Sequence, residues 1–203
     1  MIQKFNFEKL PFDPKLQQPC LIDSFRATDD RGGLVKDFNN EVFASYGIEY
    51  EMKEVFYTES RKGVIRANHF QLPIDGRNQQ AKIVRCIKGH VYDVITDLRP
   101  WSETYKKWMG FDLTESNYKQ LYIPEWFGHG YYVLEDSIVC YKANEVFSAG
   151  DSGIKWDDPD IGIDWKIPIF QEDSLIISDK DLNLMTFKEY DELIREKYST
   201  RKV

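Results

Sequence analysis

The chain has 203 residues, 42% of them hydrophobic and 15% aromatic, which is enough to bury one sizeable core without disulfides or a structural metal. Its 27 basic and 34 acidic residues give a formal net charge of −7 with no basic block, which disfavours nucleic acid as a partner. No apolar run reaches the roughly 18 residues that span a membrane and no signal segment opens the chain, so we expect a cytoplasmic protein without membrane contact.

Short strand-like segments, separated by turn signals, dominate the chain. In order they are Cys20–Ala27, Gly33–Phe38, Glu51–Thr58, Val64–Gln71, Ala81–Ile87, Val91–Asp97, Lys107–Leu113, Gln120–Ile123, Tyr131–Leu134 and Ile138–Ala143. The turn signals between them include Arg31-Gly32-Gly33, Arg61-Lys62-Gly63, Asp75-Gly76 and Lys88-Gly89. Many short strands about ten residues apart predict an all-β antiparallel sandwich or barrel.

Helix is predicted in two places. Asn40 is a candidate N-cap for a short helix over 41–46, and Thr186 with Glu189 forms a capping box for a helix over Phe187–Tyr198. Tyr190, Leu193 and Ile194 share one stripe of that second helix, so we expect it to pack on the sheet.

The rest of the chain completes a single domain over residues 1–203. Residues 1–20 are expected to form an N-terminal arm, and residues 183–203 the C-terminal helix and tail. Residues 154–170 are interpreted as a long ordered surface crossing, and residues 199–203 as a frayed end.

The three histidines and three cysteines bound the possible metal and redox chemistry. His90 lies in a predicted hairpin turn, His69 in a strand, and His129 between two glycines that allow the backbone to approach a ligand. Since no His-x-His or His-x-x-x-His spacing occurs, we expect no metal. The cysteines, which lack Cys-x-x-Cys spacing, are expected to be reduced and structural: Cys20, Cys86 and Cys140.

Charged and hydroxyl groups within strands are the next unusual feature. Alternation places Lys82 on an apolar strand face, where its ammonium group needs either a buried carboxylate or an anionic ligand. Arg66 and His69 would point to opposite faces of a regular strand, so a bulge must lie between them if both face one cavity. Tyr141 is either core filler with a bonded hydroxyl or a proton donor across a pocket.

Together, these segments resemble the dTDP-4-dehydrorhamnose 3,5-epimerase family of nucleotide-sugar epimerases. The matching pieces follow the family's order over roughly residues 21–181: Asp30-Arg31-Gly32, Gly63-Val64-Ile65-Arg66, His69-Phe70-Gln71, Ala81–Cys86, Gly89–Val94, Asp97-Leu98-Arg99, Ser102-Glu103-Thr104, Gln120–Pro124, Phe127–Gly130, Tyr141-Lys142-Ala143 and Gly153–Pro159.

The resemblance implies a cupin-type jelly-roll β-barrel with short peripheral helices, working without a metal or other cofactor. It implies a homodimer whose subunits exchange N-terminal strands. The substrate class is a nucleotide-diphosphate 4-keto-6-deoxysugar, inverted at carbon 3, carbon 5 or both, for a surface polysaccharide or secondary metabolite.

The family's site residues carry over position by position. His69 corresponds to the base, Tyr141 to the acid, and Asp181 to the carboxylate that orients the base. The other matching positions are associated with the substrate: Arg66 and Lys82 with the sugar and its keto oxygen, His129 with the substrate lining, Arg31 and Lys180 with the diphosphate, and Phe147 with stacking on the nucleobase.

Departures from the family pattern cluster at the nucleotide end. They are Ala67 and Asn68 in the segment before His69, Lys36 in place of a Glu, Glu54 and Phe56 in place of Gln and Asn, and Ser152 in place of a Glu. The nucleobase and the exact sugar therefore stay open. Two other functions also stay open: a sugar-nucleotide 3,4-ketoisomerase, and a non-catalytic cupin that binds a sugar nucleotide.

Overall fold

Two long antiparallel strands, β8 (Lys82–Asp97) and β11 (Phe127–Ala143), form the centre of the structure, a computed structural model that describes residues 1–49, 51–74, 78–168 and 174–198. The other strands are β1 (Ile2–Gln3), β2 (Asn6–Lys9), β3 (Cys20–Asp23), β4 (Phe25–Asp29), β5 (Gly32–Lys36), β6 (Glu54–Ser60), β7 (Ile65–Gln71), β9 (Trp108–Thr114), β10 (Lys119–Ile123) and β12 (Asp151–Ile154). Three short helices complete the described part: α1 (Asn40–Ser45), α2 (Asp179–Leu182) and α3 (Phe187–Tyr198).

Each long strand changes its second partner along its length. β11 pairs with β7 near its start and with β6 near its end, while β8 pairs with β10 near its start and with β9 near its end. Within the described residues the order is β12-β7-β11-β8-β10-β3-β2, with β6 and β9 as side branches, and β1-β4-β5 form a separate sheet. The long strands thereby close the sheet into a jelly-roll barrel, which confirms the predicted all-β fold class.

A bulge explains why one long strand was predicted as two. Val84 and Val91 lie in the same buried cluster although they differ by an odd number of residues, so one extra residue must lie between them. Gly89 has φ +80°, and a Cβ there would lie 2.3 Å from the carbonyl oxygen of Asp136. The predicted turn at Lys88-Gly89 is therefore wrong: β8 continues through it, and its register with β11 shifts on this stretch.

Other local predictions differ in detail from the structure. The predicted strand Cys20–Ala27 breaks at Ser24 into β3 and β4, which belong to different sheets. Residues 1–20, predicted as an arm, contribute β1 to one sheet and β2 to the other. The cap of α1 is Asn39, whose Oδ1 accepts from the Val42 amide at 3.0 Å, and α2 was not predicted.

The C-terminal helix agrees with its sequence signals. Thr186 and Glu189 form the capping box reciprocally, with the Thr186 amide donating to Glu189 Oε2 at 2.7 Å and the Glu189 amide donating to Thr186 Oγ1 at 3.3 Å. Tyr190 and Ile194 are both 1% exposed and pack beside Phe70. α3 therefore covers one face of the sheet, as predicted.

The predicted crossing over residues 154–170 is described as far as residue 168. It is not confined to the surface, because Trp165 is 3% exposed and packs with Tyr92 and Tyr132 on the outer face of the barrel. The predicted turn Asp75-Gly76 and the predicted frayed end at 199–203 lie outside the described residues. No helix in the described part of the chain is long and apolar enough to cross a membrane.

Candidate active site

A cavity of about 270 Å³ opens between β6, β7, β8 and β11 at the end of the barrel that α2 covers. It collects every site residue carried over from the family except Arg31. Those residues are Arg66, His69, Lys82, His129, Tyr141, Phe147, Lys180 and Asp181. The remaining lining comes from Phe56, Thr58, Gln80, Gly130, Tyr131, Asp151 and Ser178.

A bulge in β7 turns Arg66 and His69 into the same cavity. His69 lies opposite His129 on β11, and Arg66 lies opposite Tyr131. Between these two pairs the chain advances three residues on β7 but only two on β11. β7 therefore carries the extra residue that a shared cavity for Arg66 and His69 requires. Arg66 Nε donates to Ser60 Oγ at 3.1 Å, which holds its guanidinium at the cavity wall.

His69 is paired with Asp181 across the cavity edge. Its Nε2 lies 3.1 Å from Asp181 Oδ1, and the other carboxylate oxygen accepts the Ala67 amide at 3.1 Å. Burial opposes ionisation of Asp181, but the hydrogen bonds from His69 and Ala67 outweigh burial and lower the pKa of its carboxyl group. Asp181 is held by α2, where its amide donates to the capping Ser178 Oγ at 3.1 Å.

The second nitrogen of the His69 ring lies near the protein backbone. His69 Nδ1 is 3.3 Å from the carbonyl oxygen of Ser152 on β12. With Nε2–H donated to Asp181, Nδ1 carries the lone pair that can take up a proton.

A second histidine–carboxylate pair lies deeper in the barrel. His129 Nε2 is 3.0 Å from both carboxylate oxygens of Asp93, and the two residues are 3% and 0% exposed. Burial lowers the pKa of His129, and the attraction of Asp93 opposes that effect. We missed Asp93 in the sequence, although its position between Val91 and Ile95 on one strand face is the same signal that marked Lys82.

Lys82 places its ammonium group in the same interior. The residue is 7% exposed, and burial lowers the pKa of its ammonium group to about 8 against the attraction of Asp151 and Asp93. A cation held in such low-dielectric surroundings interacts strongly with any negative charge that enters the cavity.

Tyr141 faces this interior from β11 and is 7% exposed. Its ring stacks on Phe56 with a centroid separation of 4.7 Å and an interplanar angle of 6°, and it meets the His129 ring edge-on at 5.7 Å. Burial, reinforced by Tyr131 and Asp93, raises the pKa of Tyr141 well above its usual value. Tyr141 therefore stays protonated and able to donate.

The mouth of the cavity is more exposed. Phe147 is 65% exposed, and its amide donates to Glu54 Oε2 at 2.9 Å. Lys180 has a side chain that is 55% exposed and ion-paired with Asp151. An aromatic ring and a cation at the rim can contact the base and phosphates of a bound nucleotide.

Two predicted features lie elsewhere. Arg31 is in the turn between β4 and β5, where its side chain is 90% exposed and its guanidinium pairs with Asp29 at 2.6 Å. His90 was predicted in an exposed turn, but it belongs to β8 and its Nε2 lies 2.6 Å from Asp112 Oδ1, away from the cavity. Among the described residues, no group of three or more His, Cys, Asp or Glu side chains is arranged to hold a metal ion.

Comparison with known proteins identifies close relatives. The family model for dTDP-4-dehydrorhamnose 3,5-epimerase matches residues 13–189. The dTDP-4-dehydrorhamnose 3,5-epimerase of Methanothermobacter thermautotrophicus is 40% identical over 188 residues, which is 92% of this chain and 96% of the relative.

Solved structures agree with that match. The Bacillus anthracis dTDP-4-dehydrorhamnose 3,5-epimerase, crystallised with TDP and pyrophosphate bound, superimposes with a TM-score of 0.81 at 33% identity, covering 90% of this chain and 99% of the other. A Legionella pneumophila epimerase in complex with dTDP-4-keto-L-rhamnose gives a TM-score of 0.81 at 27% identity, covering 91% and 94%.

Proposed function

This chain belongs to the dTDP-4-dehydrorhamnose 3,5-epimerase family, and from that membership we propose that it inverts carbon 3, carbon 5 or both of a nucleotide-linked 4-keto-6-deoxyhexose. It is an isomerase of deoxysugar biosynthesis. The observation that carries the residue assignment is that the His69–Asp181 pair and Tyr141 line one cavity.

His69 is the base in this proposal. A ketone at carbon 4 acidifies the hydrogens at carbons 3 and 5, but their removal still needs a base that is active near neutral pH. Imidazole has this property, and Asp181 orients the ring by accepting its Nε2–H. The pairing also stabilises the imidazolium that forms when the ring takes up the proton.

Lys82 stabilises the enolate that proton removal leaves behind. The negative charge develops on the former keto oxygen. The buried ammonium group of Lys82 stabilises that charge more strongly than an ammonium group in water would. Arg66 and His129 line the same part of the cavity and are assigned to hold the sugar.

Tyr141 is the acid that completes inversion. Inversion requires that the new proton arrive on the face opposite to the one that lost its proton. Tyr141 lies on β11, and its raised pKa keeps the proton on the hydroxyl until the enolate has formed and can accept it.

The nucleotide contacts are assigned to the mouth of the cavity and to a second subunit. Lys180 and Phe147 are placed to meet the diphosphate and the base. Arg31 lies outside the cavity of its own chain, so we propose a homodimer in which exchanged N-terminal strands bring the partner's Arg31 to the site. Free and buried thiols support the proposed cytoplasmic location.

The decisive experiment incubates the protein in D₂O with dTDP-, CDP- or GDP-linked 4-keto-6-deoxyhexose and follows carbons 3 and 5 by NMR. The expected result is deuterium at carbon 3 or carbon 5 together with inverted product. His69→Ala should show neither the deuterium nor the inversion. The sugar nucleotide that reacts identifies the preferred nucleotide. A relocated carbonyl would instead indicate a 3,4-ketoisomerase. Tight binding without exchange or turnover would indicate a non-catalytic sugar-nucleotide-binding protein.

A further inference from the structure

A second tyrosine hydroxyl lies beside Tyr141. Thr58 Oγ1 and the hydroxyl of Tyr131 are 2.7 Å apart, and Thr58 Oγ1 also lies 3.5 Å from the carbonyl oxygen of Val139. Thr58 comes from β6, directly opposite Val139 on β11. Thr58, Tyr131 and Tyr141 all line the cavity described above.

The three side chains form a chain of hydroxyl groups. The side chain of Tyr131 acts on the ionisation of Tyr141, and the Tyr131 hydroxyl is hydrogen-bonded in turn to Thr58. The rings of Tyr131 and Tyr141 lie 6.1 Å and 5.7 Å from the His129 ring, so both tyrosines surround one imidazole. The chain therefore connects the assigned acid to a threonine in a neighbouring strand.

Packing alone does not require the hydroxyl of Tyr131. The residue is 0% exposed and lies in the apolar barrel core among Val133, Val139 and Phe127, where a phenylalanine ring would fill the same space. A buried phenol costs free energy unless its O–H is bonded, and Thr58 supplies that bond. A hydroxyl kept in the core, in the same cavity as the assigned acid, points to a role in the chemistry.

We propose that Tyr131 is a positioning residue that donates a hydrogen bond to Tyr141 as Tyr141 gives its proton to the sugar, with Thr58 holding the Tyr131 hydroxyl in place. The inference rests on the proposed function, since it assigns Tyr131 a task only if Tyr141 is the acid.

The proton transfer balances within the site. The O–H bond of Tyr141 breaks as a C–H bond forms at the sugar carbon, and the negative charge of the enolate moves to the Tyr141 oxygen. The proton removed earlier stays on His69. In the resting site Tyr141 donates to Tyr131; when the Tyr141 O–H turns towards the sugar carbon, Tyr131 donates to the Tyr141 oxygen and Thr58 donates to Tyr131. Hydroxyl hydrogens rotate freely, so this reversal moves no heavy atom.

The surroundings of Tyr141 make such a donor valuable. Burial, Tyr131 and Asp93 disfavour its phenolate, while Arg66 favours it. A hydrogen bond that is donated to the charged form lowers the cost of creating it. Because that bond is strong only when Tyr141 carries the charge, it acts on the second half of the reaction and not on substrate binding.

The test is Tyr131→Phe, assayed in D₂O for two rates: deuterium entry with retained configuration and formation of inverted product. Proton removal by His69 should persist, so exchange with retention should stay within about 3-fold of wild type. Inversion should fall about 10- to 100-fold, the effect of losing a hydrogen bond to a charged group. KM should not change.

Three further variants control for structural effects. Thr58→Val should lower inversion about 3- to 10-fold, and Thr58→Ser, which keeps the hydroxyl, should restore it. Tyr132→Phe removes a hydroxyl from the adjacent residue, which packs with Trp165 on the outer face of the barrel, and should leave the ratio of exchange to inversion unchanged.

The outcomes separate this inference from the proposed function. An unchanged ratio in Tyr131→Phe would overturn the inference while leaving the function intact. Equal losses of exchange and inversion, with a lowered Tm, would assign Tyr131 a structural role and also overturn it. Absence of exchange and inversion in the wild-type protein would remove the proposed function and the inference with it.

Discussion

The imidazole of His69 and the carboxylate of Asp181 meet at 3.1 Å, although one lies in β7 and the other in α2 close to the end of the chain. Asp181 is bound on its other oxygen by the Ala67 amide, two residues before His69. The same β7 segment that carries the proposed base therefore also fixes the group that orients it. Several measurable consequences depend on this arrangement and on its neighbours.

The first prediction concerns this pair. His69→Ala should lower kcat about 10²- to 10⁴-fold because the base is lost. Asp181→Asn should lower kcat about 10- to 100-fold, since the ring loses a charged hydrogen-bond acceptor but keeps its place. Asp179→Asn is the matched control, because it changes an exposed carboxylate of the same helix, and it should leave kcat unchanged. Normal turnover by His69→Ala would exclude His69 as the base.

The second prediction concerns Tyr141. Tyr141→Phe keeps the ring that stacks on Phe56, so the protein should stay folded. It removes the proposed proton donor, and inversion should fall about 10²- to 10⁴-fold while deuterium exchange with retention persists. NMR of the sugar in D₂O measures both rates in one sample. If inversion continues at the wild-type rate, another group must supply the proton.

The third prediction concerns the activity of Lys82. Its pKa of about 8 means that the ammonium form, which the enolate needs, is lost as pH rises through that value. We therefore expect kcat/KM, which reports the groups of the free enzyme, to decline above about pH 8, and Lys82→Met to be nearly inactive at every pH. A pH profile of kcat/KM that stays flat to pH 10 would contradict the role of an ammonium group here.

The fourth prediction concerns the stability cost of the same residue. Because the folded pKa is below that of the unfolded chain, the unfolded state binds more protons between about pH 8 and 10.5, and stability rises with pH through that window. At pH 7 the buried ammonium group therefore lowers the free energy of unfolding by about 3 kcal/mol, from roughly 1.4 kcal/mol per pKa unit. Lys82→Met should raise the urea midpoint at pH 7 by more than at pH 10. An equal change at both pH values would argue against a buried charge.

The fifth prediction uses two glycines with matching backbone. Gly47 has φ +79° with nothing within 4 Å of a Cβ, so Gly47→Ala should cost only the left-handed strain of about 1–2 kcal/mol. Gly89 has φ +80°, but its Cβ would meet the Asp136 carbonyl oxygen at 2.3 Å, so Gly89→Ala should lower the unfolding free energy substantially more. Urea unfolding of both variants compares them. Equal losses would mean that the two long strands separate easily at the bulge.

The proposed dimer can be tested by mixing inactive chains. His69→Ala leaves Arg31 intact, and Arg31→Ala leaves His69 intact. If Arg31 serves the partner's cavity, a mixed dimer contains one complete site, and co-refolded variants should be more active at low substrate concentration than either variant alone. Activity no higher than the sum of the separate variants, in a sample that sediments as a dimer, would place Arg31 outside the site.

Much of the candidate site follows from local sequence. Five of the ten predicted strands match the structure within three residues at both ends, whereas four others merge in pairs into β8 and β11 and one is split between β3 and β4. The Thr186–Glu189 capping box predicted the start of α3 because capping depends on neighbouring residues. Alternation correctly marked Lys82 as a buried cation, since strand neighbours two residues apart share a face. The resemblance then supplied the positions of His69, Tyr141 and Asp181, which the structure brings to one cavity.

Tertiary structure decided what depends on contacts between distant segments. A bulge at Gly89 reverses the alternation within β8, and in the sequence this reversal looked like a turn between two strands. Alternation could have marked Asp93 as a buried charge, and Tyr131 is an ordinary member of an apolar strand, but only the closed barrel shows that they face His129 and Thr58. The physical reason is that alternation determines which side of a strand a residue takes, whereas pairing and bulges determine which residues it meets there.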